Sequence, residues 1–386
     1  MDLNFSEEQV LLRDMVRNLC EEHSTTRIVR DLENDPIGVP AALWAQMKET
    51  GLLGMMLPES YGGIGLNMLD RAVIFEELGR ALAPGPYFVS SVMSALAIEK
   101  AGSSAQKEAL LRPIGSGDLI VTPAWLEPDN GFGAEGVQLR AQGTADGYRL
   151  SGVKRHVFHA KAAQKLLVLA RTGDAPEAID LLLVDTTAPG LRLEQQLSMA
   201  SDTQYQVHFD NVEVPAANRL GASGSGWKTW EACMYEGLIL LAAQAAGGAA
   251  RALEITVEYS KGRVQFDKPI GSFQSLAHYM ADAVAVLEGA KTLVLEAAWA
   301  QTQGRSIARL SPMAKLFACN SFRDVTATCE QIHGGYGFTL EYDIQLFFRR
   351  AKQLQLNWWD SRYLEQLIAA EVLDGTGPTI EDPLSA

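Results

Sequence analysis

Polar and apolar positions follow three successive rhythms along the chain. Behind a capping-box pattern, Ser6-Glu7-Glu8-Gln9, the apolar residues Val10, Leu11, Val16 and Leu19 recur at helical spacing. The same period predicts helices over 41–50, stopped at Gly51, over about 67–82, and in further turns to about Ile114. The loop Leu57-Pro58-Glu59-Ser60-Tyr61-Gly62-Gly63-Ile64-Gly65 interrupts them, with glycines that permit positive φ and close backbone approach. Near Gly117 the rhythm shortens. Residues 119–122, 137–140, 148–151, 166–170, 179–184 and 205–209 are β-rich runs separated by Gly, Asp, Asn and Pro. From Trp227 helical periodicity returns over 227–261, 273–303, 311–332 and 343–372.

The expected organisation is therefore an N-terminal α-helical domain (1–117), a middle antiparallel β-barrel or sandwich domain (118–225), a C-terminal four-helix-bundle domain (226–374) and a flexible tail (375–386). A length of 386 residues, too great for one growing core, agrees with several packed units.

Charge narrows the range of partners. A formal net charge of -14 argues against nucleic acid and anionic membrane, both of which are bound through an excess of Lys and Arg. A small anionic ligand can still be held by a few local basic residues. The longest apolar stretch, 238–250, is interrupted by Gln244 and two glycines and is not read as a membrane span. Met1-Asp2-Leu3-Asn4-Phe5-Ser6 lacks the basic and apolar regions of a signal peptide, and Cys20, Cys233, Cys319 and Cys329 are scattered. The expectation is a cytoplasmic protein with reduced thiols. His156 and His159 are three apart but have no Cys, Asp or Glu cluster beside them, so no metal site is expected.

One stretch breaks the helical patterns with a charged, aromatic turn: Arg263-Val264-Gln265-Phe266-Asp267-Lys268-Pro269-Ile270-Gly271-Ser272-Phe273-Gln274. Its guanidinium needs an anionic partner, either a carboxylate in a surface ion pair or a phosphate. Read with its companions, the turn points one way. The 57–65 loop, Ser201-Asp202-Thr203, Phe209-Asp210-Asn211-Val212-Glu213-Val214-Pro215, the 263–274 turn and Gln331-Ile332-His333-Gly334-Gly335-Tyr336-Gly337-Phe338 stand in the order found in the acyl-CoA dehydrogenase family. The chain resembles that family over about residues 3–372.

The resemblance implies an α–β–α architecture and FAD bound at the subunit interfaces of a tetramer. It places Arg263 on the FAD pyrophosphate, with Phe266 and Gln274 packing and hydrogen-bonding the same half of the cofactor. Gln331, Gly334 and Gly335 match the turn at the adenosine end, where His333 has a structural role. In the family these groups reach into a neighbouring subunit's site. Asp267 departs from the family's usual glycine, and a carboxylate near a pyrophosphate must turn away or pair with Lys268. The flavin-ring half departs further. Of the loop that holds the ring only Glu127-Pro128 is in place, and Phe158 replaces a hydroxyl in His156-Val157-Phe158.

The family reaction removes an α-proton with a carboxylate while the β-hydride goes to the flavin. Its two slots for a catalytic Glu fall here on Trp358 and on Gly237. Nearby carboxylates are Glu236, otherwise a solvated helix residue, and Asp360, otherwise a helix N-cap. Trp358 and Trp359 are either core residues or a wall of the acyl pocket. The resemblance implies an FAD-dependent acyl-CoA dehydrogenase-like oxidoreductase that passes electrons to an electron-transfer flavoprotein, as a homo- or heterotetramer. Because the half-site given to a neighbour is kept and the chain's own half is eroded, the chain reads as one subunit of a heterotetramer with a base-bearing partner. Some bacterial steroid-degrading members, acting on bulky polycyclic CoA thioesters, resemble this arrangement. The alternative is a CoA-thioester-binding or eliminating protein on the same fold.

Overall fold

The computed structural model describes residues 5–375. The expected tail lies outside the described residues beyond Gly375, as do the first four residues. The first elements in order are α1 (Glu7–His23), α2 (Thr26–Asp31), α3 (Ala41–Glu49), α4 (Met68–Arg80), α5 (Ala95–Ala101) and α6 (Ser104–Gly115). Strands follow: β1 (Val121–Ala124), β2 (Arg140–Gly143), β3 (Gly147–Phe158), β4 (Lys165–Arg171), β5 (Ile179–Asp185), β6 (Leu191–Gln196), β7 (Gln204–Pro215) and β8 (Arg219–Leu220). Then come α7 (Gly226–Gly262), the short β9 (Val264–Gln265) and β10 (Lys268–Pro269), α8 (Gln274–Thr302), α9 (Leu310–His333), α10 (Ile344–Leu356) and α11 (Ser361–Ala369). Two compact units divide these elements. One comprises Met1–Leu12, Met68–Arg80 and Leu238–Ala386, the other Arg13–Asn67 and Ala81–Gly237.

The capping box at the start of α1 forms as the sequence implies: the Ser6 amide donates to Gln9 Oε1 at 3.1 Å and the Gln9 amide to Ser6 Oγ at 3.2 Å. In the second unit the sheet runs β6-β7-β3-β2-β4-β5-β8, with β1 parallel against β4. Apart from that pair and one parallel register between β2 and β4, all pairings are antiparallel. Leu150, Val157, Leu166, Val168, Leu182, Val207 and Phe209 fill its core.

Local hydrogen bonds explain where strands depart from expectation. Of the predicted strand at 137–140, residues 137–139 do not form one, because the Gln138 and Leu139 amides donate to the Glu127 carboxylate at 2.9 and 2.8 Å instead of to a ladder. β2 therefore starts at Arg140. Residue 119 is likewise taken by the turn that closes α6, its amide bonded to the Pro113 carbonyl at 3.0 Å. β6 carries only two apolar residues, Leu191 and Leu193, too few to signal a strand; it pairs along β7 from Leu191↔Phe209 to Gln196↔Gln204. Before α5 the chain makes a buried π-helical turn, Phe88–Ser94, whose Ser90 hydroxyl accepts from the Val121 amide and whose Ser94 hydroxyl donates to the Val121 carbonyl.

In the first unit α4 and α7 cross at glycines. A Cβ on Gly79 would lie 2.0 Å from the Gln244 carbonyl oxygen, and one on Gly247 would lie 1.9 Å from that of Glu76. These contacts are between backbones, so no rotamer change relieves them. The expectation that no apolar run is long enough to span a membrane is corrected here. α7, with 37 residues, is long and apolar enough by composition, yet 83% of its most apolar window is buried within the protein. It is a core helix. The predicted single helix over 343–372 is also two: Asn357, Trp358, Trp359 and Asp360 separate α10 from α11.

Gly247→Ala is expected to destabilise the chain by about 3 kcal/mol, since overpacking a backbone crossing forces the helices apart. Urea denaturation measured against an exposed control in the same helix, Gly262→Ala, checks this.

Candidate functional site

The six residues assigned to the nucleotide fall in one unit, on two turns. β9 and β10 pair as a hairpin, with Gln265 opposite Lys268, and Phe266 and Asp267 form its tip at φ 53° and 61°. Two successive positive φ values define a type I′ turn, which explains the Asp267 departure: the site requires the left-handed region, which glycine enters freely and Asp tolerates. Lys268 does not pair with Asp267 among the described residues; its Nζ lies 4.3 Å from the Phe273 ring centroid. Phe266 is 86% exposed and meets Phe273 edge-on at 6.1 Å. A bulky residue held at positive φ and exposed to solvent is strained, at roughly 1–2 kcal/mol.

Arg263 is exposed and forms no ion pair among the described residues. Its guanidinium carbon lies 5.6 Å from the ring centroid of Tyr336, which stands on the second turn. That contact brings the 263–274 and 331–336 turns together. Gln274 opens α8 and Gln331 lies near the end of α9, both exposed. Gly334 takes φ 62° and ψ -138°, a region open only to glycine, and a Cβ on Gly334 or Gly335 would meet nothing within 4 Å. A basic side chain without a carboxylate, beside a turn stripped of side chains, fits a nucleotide phosphate.

In the other unit the corresponding polar groups are already committed to protein partners. Lys154, with no exposed surface, places Nζ 2.6 Å from Glu127 Oε1 and 3.1 Å from the Trp125 carbonyl. Glu127 also accepts from Asn130 Nδ2 and from the Gln138 and Leu139 amides. Burial pulls the Lys154 amine down to about 8, with the Glu127 carboxylate opposing the shift. The Thr122 hydroxyl donates to the Phe158 carbonyl at 2.7 Å, and His156 Nδ1 faces Gln204 Oε1 at 2.8 Å. Trp125 packs on Trp230 and Phe132, with centroids 5.6 and 6.1 Å away.

The two base slots are also filled. A Cβ on Gly237 would lie 2.7 Å from Met93 Sδ and 3.3 Å from Phe88 Cζ, so side chains of the π-helical turn occupy the space a carboxylate there would need. Glu236, one residue earlier, is buried and ion-paired with Lys100 at 2.7 Å. Burial opposes the Lys100 charge, but Glu236 outweighs it and raises the amine's pKa. At the other slot Trp358 and Trp359 are buried, both at positive φ (55° and 68°). The fully buried Lys315 holds them there by donating to the Asn357 carbonyl at 2.8 Å and the Trp359 carbonyl at 2.7 Å. Asp360 accepts from the Tyr363 amide at 2.9 Å and caps α11. Glu236 and Asp360 lie in different units.

Lys315 and Lys154 were not singled out from sequence, although one left a trace. Lys315 stands in the stripe Ser311, Lys315, Ala318, Phe322, Val325, Cys329, all buried, where a charge signals an internal partner. Lys154 left none, because bulges shift the β3–β7 register on either side of it and break the alternation.

The fold agrees with what is found among known proteins. Residues 6–118, 123–212 and 224–358 match the N-terminal, middle and C-terminal domains of acyl-CoA dehydrogenase. The chain belongs to the acyl-CoA dehydrogenase family. It is 31% identical to the probable acyl-CoA dehydrogenase YngJ of Bacillus subtilis (strain 168), over 97% of this chain and all of the relative. It is similar in structure to a chain in the electron transferring flavoprotein of Acidaminococcus fermentans, with TM-score 0.90 and 30% identity, covering 97% of this chain and all of that one. It is also similar to a chain of the ChsE4-ChsE5 complex from Mycobacterium tuberculosis, with TM-score 0.88 and 27% identity over 98% of this chain and all of that one.

Lys315→Met is expected to cost about 2 kcal/mol, since two buried carbonyls lose their donor while the cost of burying an ammonium is relieved. Urea denaturation, with near-ultraviolet circular dichroism reporting the two tryptophans, reads both effects. For Lys154 the folded pKa lies below the unfolded one. Its contribution to stability is therefore absent below about 8, grows as pH rises, and is complete above the ordinary value of 10.5. Urea midpoints between pH 7 and pH 10 should rise more for the unaltered chain than for Lys154→Met.

Proposed function

We propose that this chain is one subunit of a heterotetrameric, FAD-dependent acyl-CoA dehydrogenase, which lends its nucleotide clamp to a partner subunit carrying the catalytic base. The observation that carries this reading is the asymmetry between the two halves. Arg263, Gln274, Gln331 and the Gly334-Gly335 turn stand exposed, and Arg263 pairs with no carboxylate among the described residues. Thr122, Glu127, His156 and both base slots are already filled or bonded within the chain. Bound FAD supplies the two-electron acceptor for α,β-desaturation of an acyl-CoA thioester, with electrons passing on to an electron-transfer flavoprotein.

Within that chemistry Arg263 neutralises the pyrophosphate through paired, charge-assisted hydrogen bonds. Phe266 covers the same half of the nucleotide and Gln274 hydrogen-bonds it. Gly334 and Gly335 let the backbone approach the adenosine end. Glu236 is held to Lys100 and Asp360 to the start of α11, so the proton acceptor belongs to the partner. A chain in the ChsE4-ChsE5 complex has the same fold, which supports assembly with a non-identical subunit. By the family resemblance the substrate class is a bulky CoA thioester, such as a steroid side chain. The sites of action are inside the cell.

The test is flavin content. Co-expressed with its partner, the protein should carry about one FAD for every two chains. Anaerobic acyl-CoA should bleach that flavin, and Glu236→Gln should leave turnover within about twofold. One FAD per chain and full turnover by this chain alone would overturn the proposal. A flavin that binds but is bleached by no thioester would favour a CoA-thioester-binding protein instead.

A further inference from the structure

Behind the exposed clamp lies a closed circuit of aromatic contacts. His333 is buried, and its ring stacks on Tyr259 with centroids 4.2 Å apart and planes 20° apart. It meets Tyr342 edge-on at 5.4 Å, Tyr342 contacts Tyr336 at 5.8 Å, and Tyr336 carries the Arg263 guanidinium. The circuit closes through the backbone, because the Arg263 amide donates to the Tyr259 carbonyl at 2.8 Å. Arg263 thus sits one helical turn beyond the residue on which His333 stacks. His333 also immediately precedes Gly334, so the residue that stacks one helical turn before Arg263 is joined through its backbone to the second turn.

The protonation state suits this task. His333 Nδ1 lies 2.8 Å from the Cys329 carbonyl, which can only accept, so Nδ1 carries the proton. Nε2 is buried with no hydrogen-bond partner among the described residues. Burial pulls the imidazole's pKa down, although the bond to Cys329 opposes this, and the ring stays neutral. Its own helix fixes one edge, and the flat face is left for Tyr259.

We propose that His333 is a positioning residue for the nucleotide clamp: by stacking on Tyr259 it fixes the end of α7, and hence Arg263, against the Gly334-Gly335 turn. The inference rests on the reading of Arg263 as the pyrophosphate clamp. His333 touches the nucleotide only through others. Its removal should therefore weaken FAD binding only where Arg263 is present to be misplaced.

The test is a double-mutant cycle on the assembled protein, stripped of flavin and titrated with FAD while flavin fluorescence is followed. His333→Ala should raise the FAD dissociation constant about tenfold, and His333→Phe, which keeps an aromatic face for Tyr259, should restore it to within about threefold. In an Arg263→Ala background, His333→Ala should add less than about twofold. Thermal midpoints of the flavin-free variants show whether each folds, and His333→Phe carries the test if His333→Ala does not. An equal loss in both backgrounds, or none in either, overturns the positioning role and leaves the clamp standing. If Arg263→Ala alone binds FAD as tightly as the unaltered protein, the clamp reading itself falls.

Discussion

A lysine with no exposed surface, bonded to one carboxylate and one carbonyl, decides how the sheet-bearing unit is built. Moving the Lys154 ammonium out of water costs several kcal/mol unless its partners are held in place, and Glu127 is held by three further donors. Those donors come from within the 128–137 loop and from the two residues just after it, so the loop is drawn tight around one carboxylate. The consequences extend outward. The Gln138 and Leu139 amides leave the ladder, β2 begins later, and Trp125 is carried onto Trp230. The loop that relatives use for the flavin ring is here anchored from inside.

The helical unit solves a similar problem with a similar group. Lys315 reaches two carbonyls of a turn in which successive tryptophans take positive φ, a conformation costing roughly 1–2 kcal/mol per residue. The turn persists because the buried ammonium needs those carbonyls as much as they need a donor. Trp358 and Trp359 are both buried in that turn. Both lysines hold a loop from inside. Each makes its loop structural.

Much of the architecture was legible from period alone. Ser6 and Gln9 announced the first helix, and the helical rhythm from Trp227 located α7, α8 and α9 to within a residue or two. The turns at 263–274 and 331–336 stood out because Arg263, Gly334 and Gly335 fall in an order that resembles the family's. What escaped were features decided at a distance. Glu127 captures amides eleven and twelve residues away, which no local pattern reports. β3 loses its alternation to bulges, and β6 holds its place through β7 with little apolar surface of its own. The break before Asp360 was legible only as one reading of that residue, and the Lys315 contact 45 residues earlier in the chain accounts for it.

The arrangement around Arg263 remains costly for the chain by itself. Phe266 is strained and almost wholly exposed, Tyr336, Phe338 and Leu340 expose apolar surface on the second turn, and Arg263 has no counter-charge among the described residues. Water gives no return for such surface, whereas an anionic ligand and an apolar neighbour together would offset each cost. The base slots show the reverse economy. Phe88 and Met93 close the space beside Gly237, and Trp358 is itself buried, so both positions are closely packed. The interior is closely packed around Gly237 and Trp358, while apolar surface is left exposed around Arg263. That division is what the half-site reading requires.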